Sequence, residues 1–90
     1  DKGISIGEAS NLDIYDGNIS NAEIGVAIKD KSQAKIKNLN FFDNMADIAL
    51  YRKKSFYEVG GTLLIDNKVL RNIKVEKDRF SNIFEYEKQN

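Results

Sequence analysis

The sequence predicts an all-β chain wound as a parallel β-helix solenoid. Three observations carry this: a 22-residue repeat, period-2 alternation inside each repeat, and turn-forming residues between the alternating segments. The repeat sets Gly3-Ile4-Ser5-Ile6 over Gly25-Val26-Ala27-Ile28 and then over Asp47-Ile48-Ala49-Leu50. At that offset Gly3/Gly25, Ile6/Ile28, Ser10/Ser32, Ile14/Ile36 and Asn18/Asn40 are identities. A fixed period of this size marks a stack of coils, each burying its apolar face only against its neighbours. The chain reads as one domain of about three to four coils, bounded at 3–24, 25–46 and 47–75, with a terminal coil or cap over 76–90.

The first strand of each coil is Ile4-Ser5-Ile6, Val26-Ala27-Ile28 and Ile48-Ala49-Leu50, where large aliphatic residues alternate with small ones. That is the signature of a short strand with one buried face. A second strand follows at Leu12-Asp13-Ile14, Ala34-Lys35-Ile36 and Leu63-Leu64-Ile65, and a third short segment carries Ile19, Phe41 and Leu70. Gly, Asn, Asp and Lys between these segments suit turns and left-handed backbone. Equivalent positions stack at about 4.8 Å along the axis. Ile6, Ile28 and Leu50 should form one inward column, and Ile14, Ile36 and Ile65 another. Asn18 and Asn40 should stack at a bend and hydrogen-bond from coil to coil.

The third coil breaks the spacing. Leu12 to Ala34 is 22 residues and Ala34 to Leu63 is 29, which places a seven-residue insertion between Tyr51 and Gly61. Insertions in a repeat become loops on one face, often the binding face. Tyr51, Arg52, Lys53 and Tyr57 are the candidate ligand-binding residues: the tyrosines for stacking on a sugar ring, the cations for pairing with carboxylates. The plainer role is a decorated loop with Phe56 tucked over the core. Further on, Ile73-Lys74-Val75 reads as one more strand and Ser81-Asn82-Ile83 repeats Ser10-Asn11-Leu12, before a charged stretch from Phe84 to Asn90. The N-terminal Gly3-Ile4-Ser5-Ile6 starts directly as a core strand, so upstream coils or a second copy should cover it. The chain is therefore expected to be the C-terminal part of a longer protein, with homo-oligomerisation through open β-helix ends as an alternative.

Composition narrows the function classes. Fourteen basic and fourteen acidic residues balance, so no global field draws the chain to nucleic acid or an anionic membrane. No apolar run approaches the roughly 20 residues of a membrane span. Without Cys or His there is no disulfide, thiolate or imidazole chemistry, and neither a metal nor another cofactor is expected. Gly60-Gly61 has no following Gly-Lys-Ser/Thr and is not a phosphate loop. Glu8 and Asp30 stack in adjacent coils with Arg52 at the next rung, which reads either as an acid pair relieved by a cation, as a small cation site, or as a satisfied structural ladder. No catalytic residue is assigned.

Lys2-Gly3-Ile4-Ser5-Ile6-Gly7-Glu8-Ala9-Ser10, Ile24 to Ser32 and Asn44 to Tyr51 together resemble right-handed parallel β-helix proteins of the pectin-lyase-like superfamily. The likeness spans Gly3 to Val75 and is closest to the C-terminal coils of large bacterial surface members. It implies a right-handed solenoid, a secreted or cell-surface location and a polysaccharide partner lying along the outside of one sheet. The catalytic patterns of the best-known branches do not carry over. Polygalacturonases pair Asp residues with a Gly-His-Gly element, and this chain has no His; Asp13 and Asp16 lack that context. Arg71-Asn72-Ile73-Lys74 matches the Arg-Ile-Lys element of pectate lyases only loosely. The resulting expectation is a structural or carbohydrate-binding segment, with a polysaccharide lyase or glycoside hydrolase whose catalytic coils lie upstream as the alternative.

Overall fold

The computed structural model describes residues 1–87. The chain runs β1 (Lys2–Ile6), β2 (Asn11–Ser20), β3 (Ile24–Lys29), β4 (Gln33–Phe42), β5 (Ala46–Tyr51), β6 (Thr62–Asp66), α1 (Asn67–Arg71), β7 (Val75–Lys77) and β8 (Asn82–Tyr86). Two parallel sheets result, ordered β1-β3-β5-β7 and β2-β4-β6-β8. Each coil gives one strand to each sheet, so the described chain is a β-solenoid of four stacked coils.

The sequence period is the strand register. Ile4 pairs with Val26, Ile6 with Ile28, Ile14 with Ile36 and Asn18 with Asn40, all offset by 22. In the third coil Ala34 pairs with Leu63 and Ile36 with Ile65, so the seven extra residues fall between Tyr51 and Thr62. The inward columns form the core: Ile28, Leu63 and Ile65 are fully buried, and Ile36 and Leu50 nearly so. Burying a side chain of this size contributes about 1.5–3 kcal/mol, so the columns hold the two sheets together.

The third strand is not a separate element in the first two coils. β2 and β4 each run ten residues through Ile19 and Phe41, bending at Asp16 (φ 61°) and Asn38 (φ 54°), the one position the register skips before pairing resumes at Gly17 and Leu39. Short polar side chains tolerate that left-handed conformation, so one residue turns the strand while the ladder continues. In the third coil Leu70 lies on α1. Asp66 caps this helix, its Oδ1 accepting from Lys68 N at 2.7 Å, and Val69, Leu70 and Ile73 pack on the core from there. The expected strand at Ile73 to Val75 begins only at Val75 and continues to Lys77.

Left-handed turns fall on Glu8, Ala9, Asp16, Asn21, Asp30, Lys31, Asn38 and Asp43, and on no glycine. Glycine serves close approach instead: a Cβ on Gly25 would stand 2.5 Å from the Asp47 carbonyl oxygen.

The two ends of the stack differ. In the fourth coil the aliphatic columns close with Lys77, in register with Leu50, and with Glu85, in register with Ile65. Lys77 Nζ folds over and donates to the carbonyls of Asp78 and Ser81, both at 3.3 Å. Of the expected cap over 76–90, residues 88–90 lie outside the described residues. At the other end β1 and β2 carry, among the described residues, a strand on one flank only, and Leu12 is 42 % exposed where its partner Ala34 is buried.

Candidate functional site

The loop 52–61 is built on two carboxylates. Asp30 sits in the turn below it, almost fully buried, and its Oδ1 accepts from Lys53 N at 2.7 Å and from Lys54 N at 3.1 Å. Asp78 sits in the turn above, and its Oδ2 accepts from Arg52 N at 2.7 Å. Three successive amides at the loop's start are thus held from both neighbouring coils. Charge-assisted bonds of this kind are about twice as strong as neutral ones.

Asp78 also accepts from Phe80 N at 3.1 Å and from Ser81 Oγ at 2.9 Å. Burial alone would raise its carboxyl, but the hydrogen bonds from Arg52, Ser81 and Phe80 outweigh it and hold the group below the ordinary value. At the loop's end Gly61 takes the position of Ser32 and Ser81 in the ladder, and its N–H donates to Ser81 Oγ at 3.0 Å. A Cβ at Gly61 would strike the Ile28 carbonyl, so the chain re-enters the sheet here only with glycine.

The sequence-predicted residues take different places. Tyr51 ends β5 half-buried. Arg52 is engaged within the fold: its guanidinium stacks 3.6 Å from the Phe80 ring centroid and donates to the Tyr57 carbonyl at 3.3 Å. Lys53 is exposed, and Tyr57 is half-buried with its ring 4.6 Å from that of Phe56. Phe56 does not tuck over the core; it is 74 % exposed. Phe56, rather than Tyr51 or Arg52, is therefore the side chain that the loop leaves most open to solvent. Nothing in the sequence distinguished it from Tyr57, because which of two adjacent aromatics faces out depends on the loop's path.

The Glu8, Asp30 and Arg52 ladder resolves into structural contacts. Glu8 pairs with Lys54 Nζ, and Asp30 spends its Oδ1 on loop amides. The hydrogen bond and charge of Lys54 lower the Glu8 carboxyl and raise the Lys54 ammonium in return. Around the loop's base the cations crowd: burial first, then the ammoniums of Lys2 and Lys53, lower the Lys29 ammonium. Among the described residues no group of three His, Cys, Asp or Glu is placed to hold a metal ion.

A second exposed surface is the outer face of the sheet β2-β4-β6-β8. Its columns are Asp13, Lys35, Leu64 and Phe84 in one row, and Tyr15 with Lys37 and Asp66 with Tyr86 in the next. Tyr15 is 62 % and Phe84 58 % exposed, and Lys35 Nζ stands 5.6 Å from the Tyr86 ring centroid. Burial, then the charge of Asp66, raises the Tyr86 phenol. A shallow cavity of about 270 Å³ on this face is lined by Asp13, Tyr15, Asp16, Lys35, Lys37 and Asn38. The sequence carried the signal for it, the outward alternates of the second strand.

No protein-family description matches the chain, and no curated protein or solved structure matches it.

Proposed function

We propose that the chain is a β-solenoid segment of a secreted or cell-surface bacterial protein that binds an acidic polysaccharide on the loop 52–61. The observation that carries this reading is the exposed Phe56 ring stacked on Tyr57, with Lys53 exposed in the same loop, whose first three amides are held by Asp30 and Asp78. An aromatic face suits the C–H face of a pyranose, and the cations Lys2, Lys29 and Lys53 at the loop's base suit sugar carboxylates. A pinned loop loses little freedom on binding, which leaves more of the contact energy as affinity. The location outside the cell rests on the resemblance of the coil sequences alone.

Affinity electrophoresis in gels containing polygalacturonate or a neutral glucan tests this. Retardation by the acidic polymer should be lost by about tenfold in Phe56→Ala/Tyr57→Ala and weakened in Lys53→Ala. Equal mobility with and without polymer, or retardation untouched by the aromatic pair, overturns the assignment.

End-to-end assembly is the second reading. Exposed Leu12 and the partly exposed Ile4 and Ile14 favour it, while Lys77 and Glu85 in the core columns of the fourth coil oppose stacking at that end. Assembly would therefore run head to head through β1 and β2, giving a dimer and no longer species in sedimentation.

A further inference from the structure

The loop 52–61 reaches past its neighbouring coil. Asp30 of the second coil holds the amides of Lys53 and Lys54, and from there the Lys54 side chain continues downward to pair with Glu8 of the first coil. One coil step is about 4.8 Å, which a lysine stem covers. Glu8 is the equivalent of Asp30 one coil earlier, yet the two carboxylates differ. Asp30 is buried and committed to backbone amides. Glu8 is exposed, and among the described residues its carboxylate accepts from Lys54 Nζ alone. An exposed ion pair of this kind adds little to the fold, so Glu8 can be exchanged for another anion.

The cations around Glu8 outnumber it. Lys29 lays its side chain across Gly7, where a Cβ would stand 3.3 Å from Cε and 3.8 Å from Nζ. Lys2 and Lys53 are close enough to Lys29 to lower its ammonium, after burial. Glu8 first, and Tyr57 and Asp30 to a smaller extent, raise the Lys54 ammonium, so this cation is close to the aromatic pair as well. The ammoniums of Lys2, Lys29, Lys53 and Lys54 thus gather about one exchangeable carboxylate. We infer that Lys54 is a carboxylate-binding residue of the polysaccharide site and that Glu8 fills the ligand's place in the free chain, as an internal competitor that an acidic sugar displaces. This rests on the polysaccharide reading and adds to it a contact from the first coil. The exchange sets one charge-assisted contact against another, so Glu8 holds affinity down. A polymer overcomes it by bringing several carboxylates together, which a single acidic sugar does not.

Affinity electrophoresis of the full chain in polygalacturonate, with each mobility divided by that in plain gel, tests this. Glu8→Gln should bind about threefold tighter than the unsubstituted chain, because a repelling charge leaves the site. Lys54→Met should bind about threefold weaker, with Glu8 then unpaired beside the polymer. The double substitution should return close to the unsubstituted chain. Glu23→Gln removes the same charge from an exposed position before β3 and should change affinity by less than about 1.5-fold. Under saturating oligogalacturonate at neutral pH, the Glu8 carboxyl carbon resonance should move toward its position in Lys54→Met. A gain in Glu8→Gln no larger than in Glu23→Gln, a gain that persists in full with Lys54→Met, or an unmoved Glu8 resonance overturns the inference. Retardation of the unsubstituted chain without a Glu8 effect overturns this inference alone. No retardation of either the unsubstituted chain or Glu8→Gln overturns the polysaccharide reading and this inference with it.

Discussion

The second and third coils cross from the first sheet to the second at the same place and do it differently. Between β3 and β4 the crossing takes three residues, 30–32, with Asp30 and Lys31 left-handed; between β5 and β6 it takes ten, 52–61. Yet Lys29 pairs with Tyr51 before the crossing and Gln33 with Thr62 after it, in the same register. The columns fix the strands, and the connection is free to lengthen because loop-closure entropy rises only with the logarithm of length. What a long crossing needs is anchorage, and the short crossing below supplies it through Asp30.

The largest effect should come from the part both coils share. Ile28→Ala empties a column position in contact with both neighbouring coils and should destabilise the chain by about 3 kcal/mol in urea denaturation. A loss as small as that of a surface substitution would mean that the columns do not carry the fold. Asp30→Ala leaves the amides of Lys53 and Lys54 without their acceptor and should cost about 2 kcal/mol. Its companion prediction is local: the loop's amide exchange should accelerate well before that of β4.

Acid sharpens the contrast further. Hydrogen bonds depress the Asp78 carboxyl and Lys54 depresses that of Glu8, and both groups touch the loop. A carboxyl depressed in the folded state adds stability that is complete above its unfolded value and vanishes as pH falls through the folded one. The loop should therefore loosen below about pH 4, while the aliphatic columns do not titrate. Following the Arg52 amide by NMR checks this, and Asp78→Asn should remove much of its pH dependence. The smallest change is expected from replacing residues 52–61 by Asp-Lys-Ser, the crossing used by the second coil. The fold should persist, with stability altered by no more than about 1 kcal/mol and polysaccharide retardation abolished. Collapse of the fold on this replacement would show that the loop is structural in its own right.

Much of the architecture was legible because a solenoid turns sequence period directly into spatial register. The column of Ile6, Ile28 and Leu50, the amide ladder in which Asn40 Nδ2 donates to Asn18 Oδ1 at 3.2 Å, and the size and place of the insertion all follow from counting residues. The third segment was misread, since Ile19 and Phe41 continue the second strand through a one-residue bend. Leu70 was misread for another reason: its spacing fits a strand, but the capping carboxylate of Asp66 starts a helix instead. In the candidate site, aromatics and cations could be named from the loop's composition. That Arg52 would stack on Phe80, and that Phe56 would stand free, depended on residues more than twenty positions away.

The sequence by itself determined the repeat, the parallel register and the aliphatic columns, because each is a local pattern copied at a fixed interval. Tertiary structure alone decided which polar groups became anchors. Asp30 and Asp78 differ little in sequence from Asp13 or Asp43, and they hold the loop only because stacking coils places its amides within hydrogen-bonding reach of their carboxylates. It also decided that β4 pairs with β6 only as far as Ile36 among the described residues, because a helix formed where the next coil's strand would have continued.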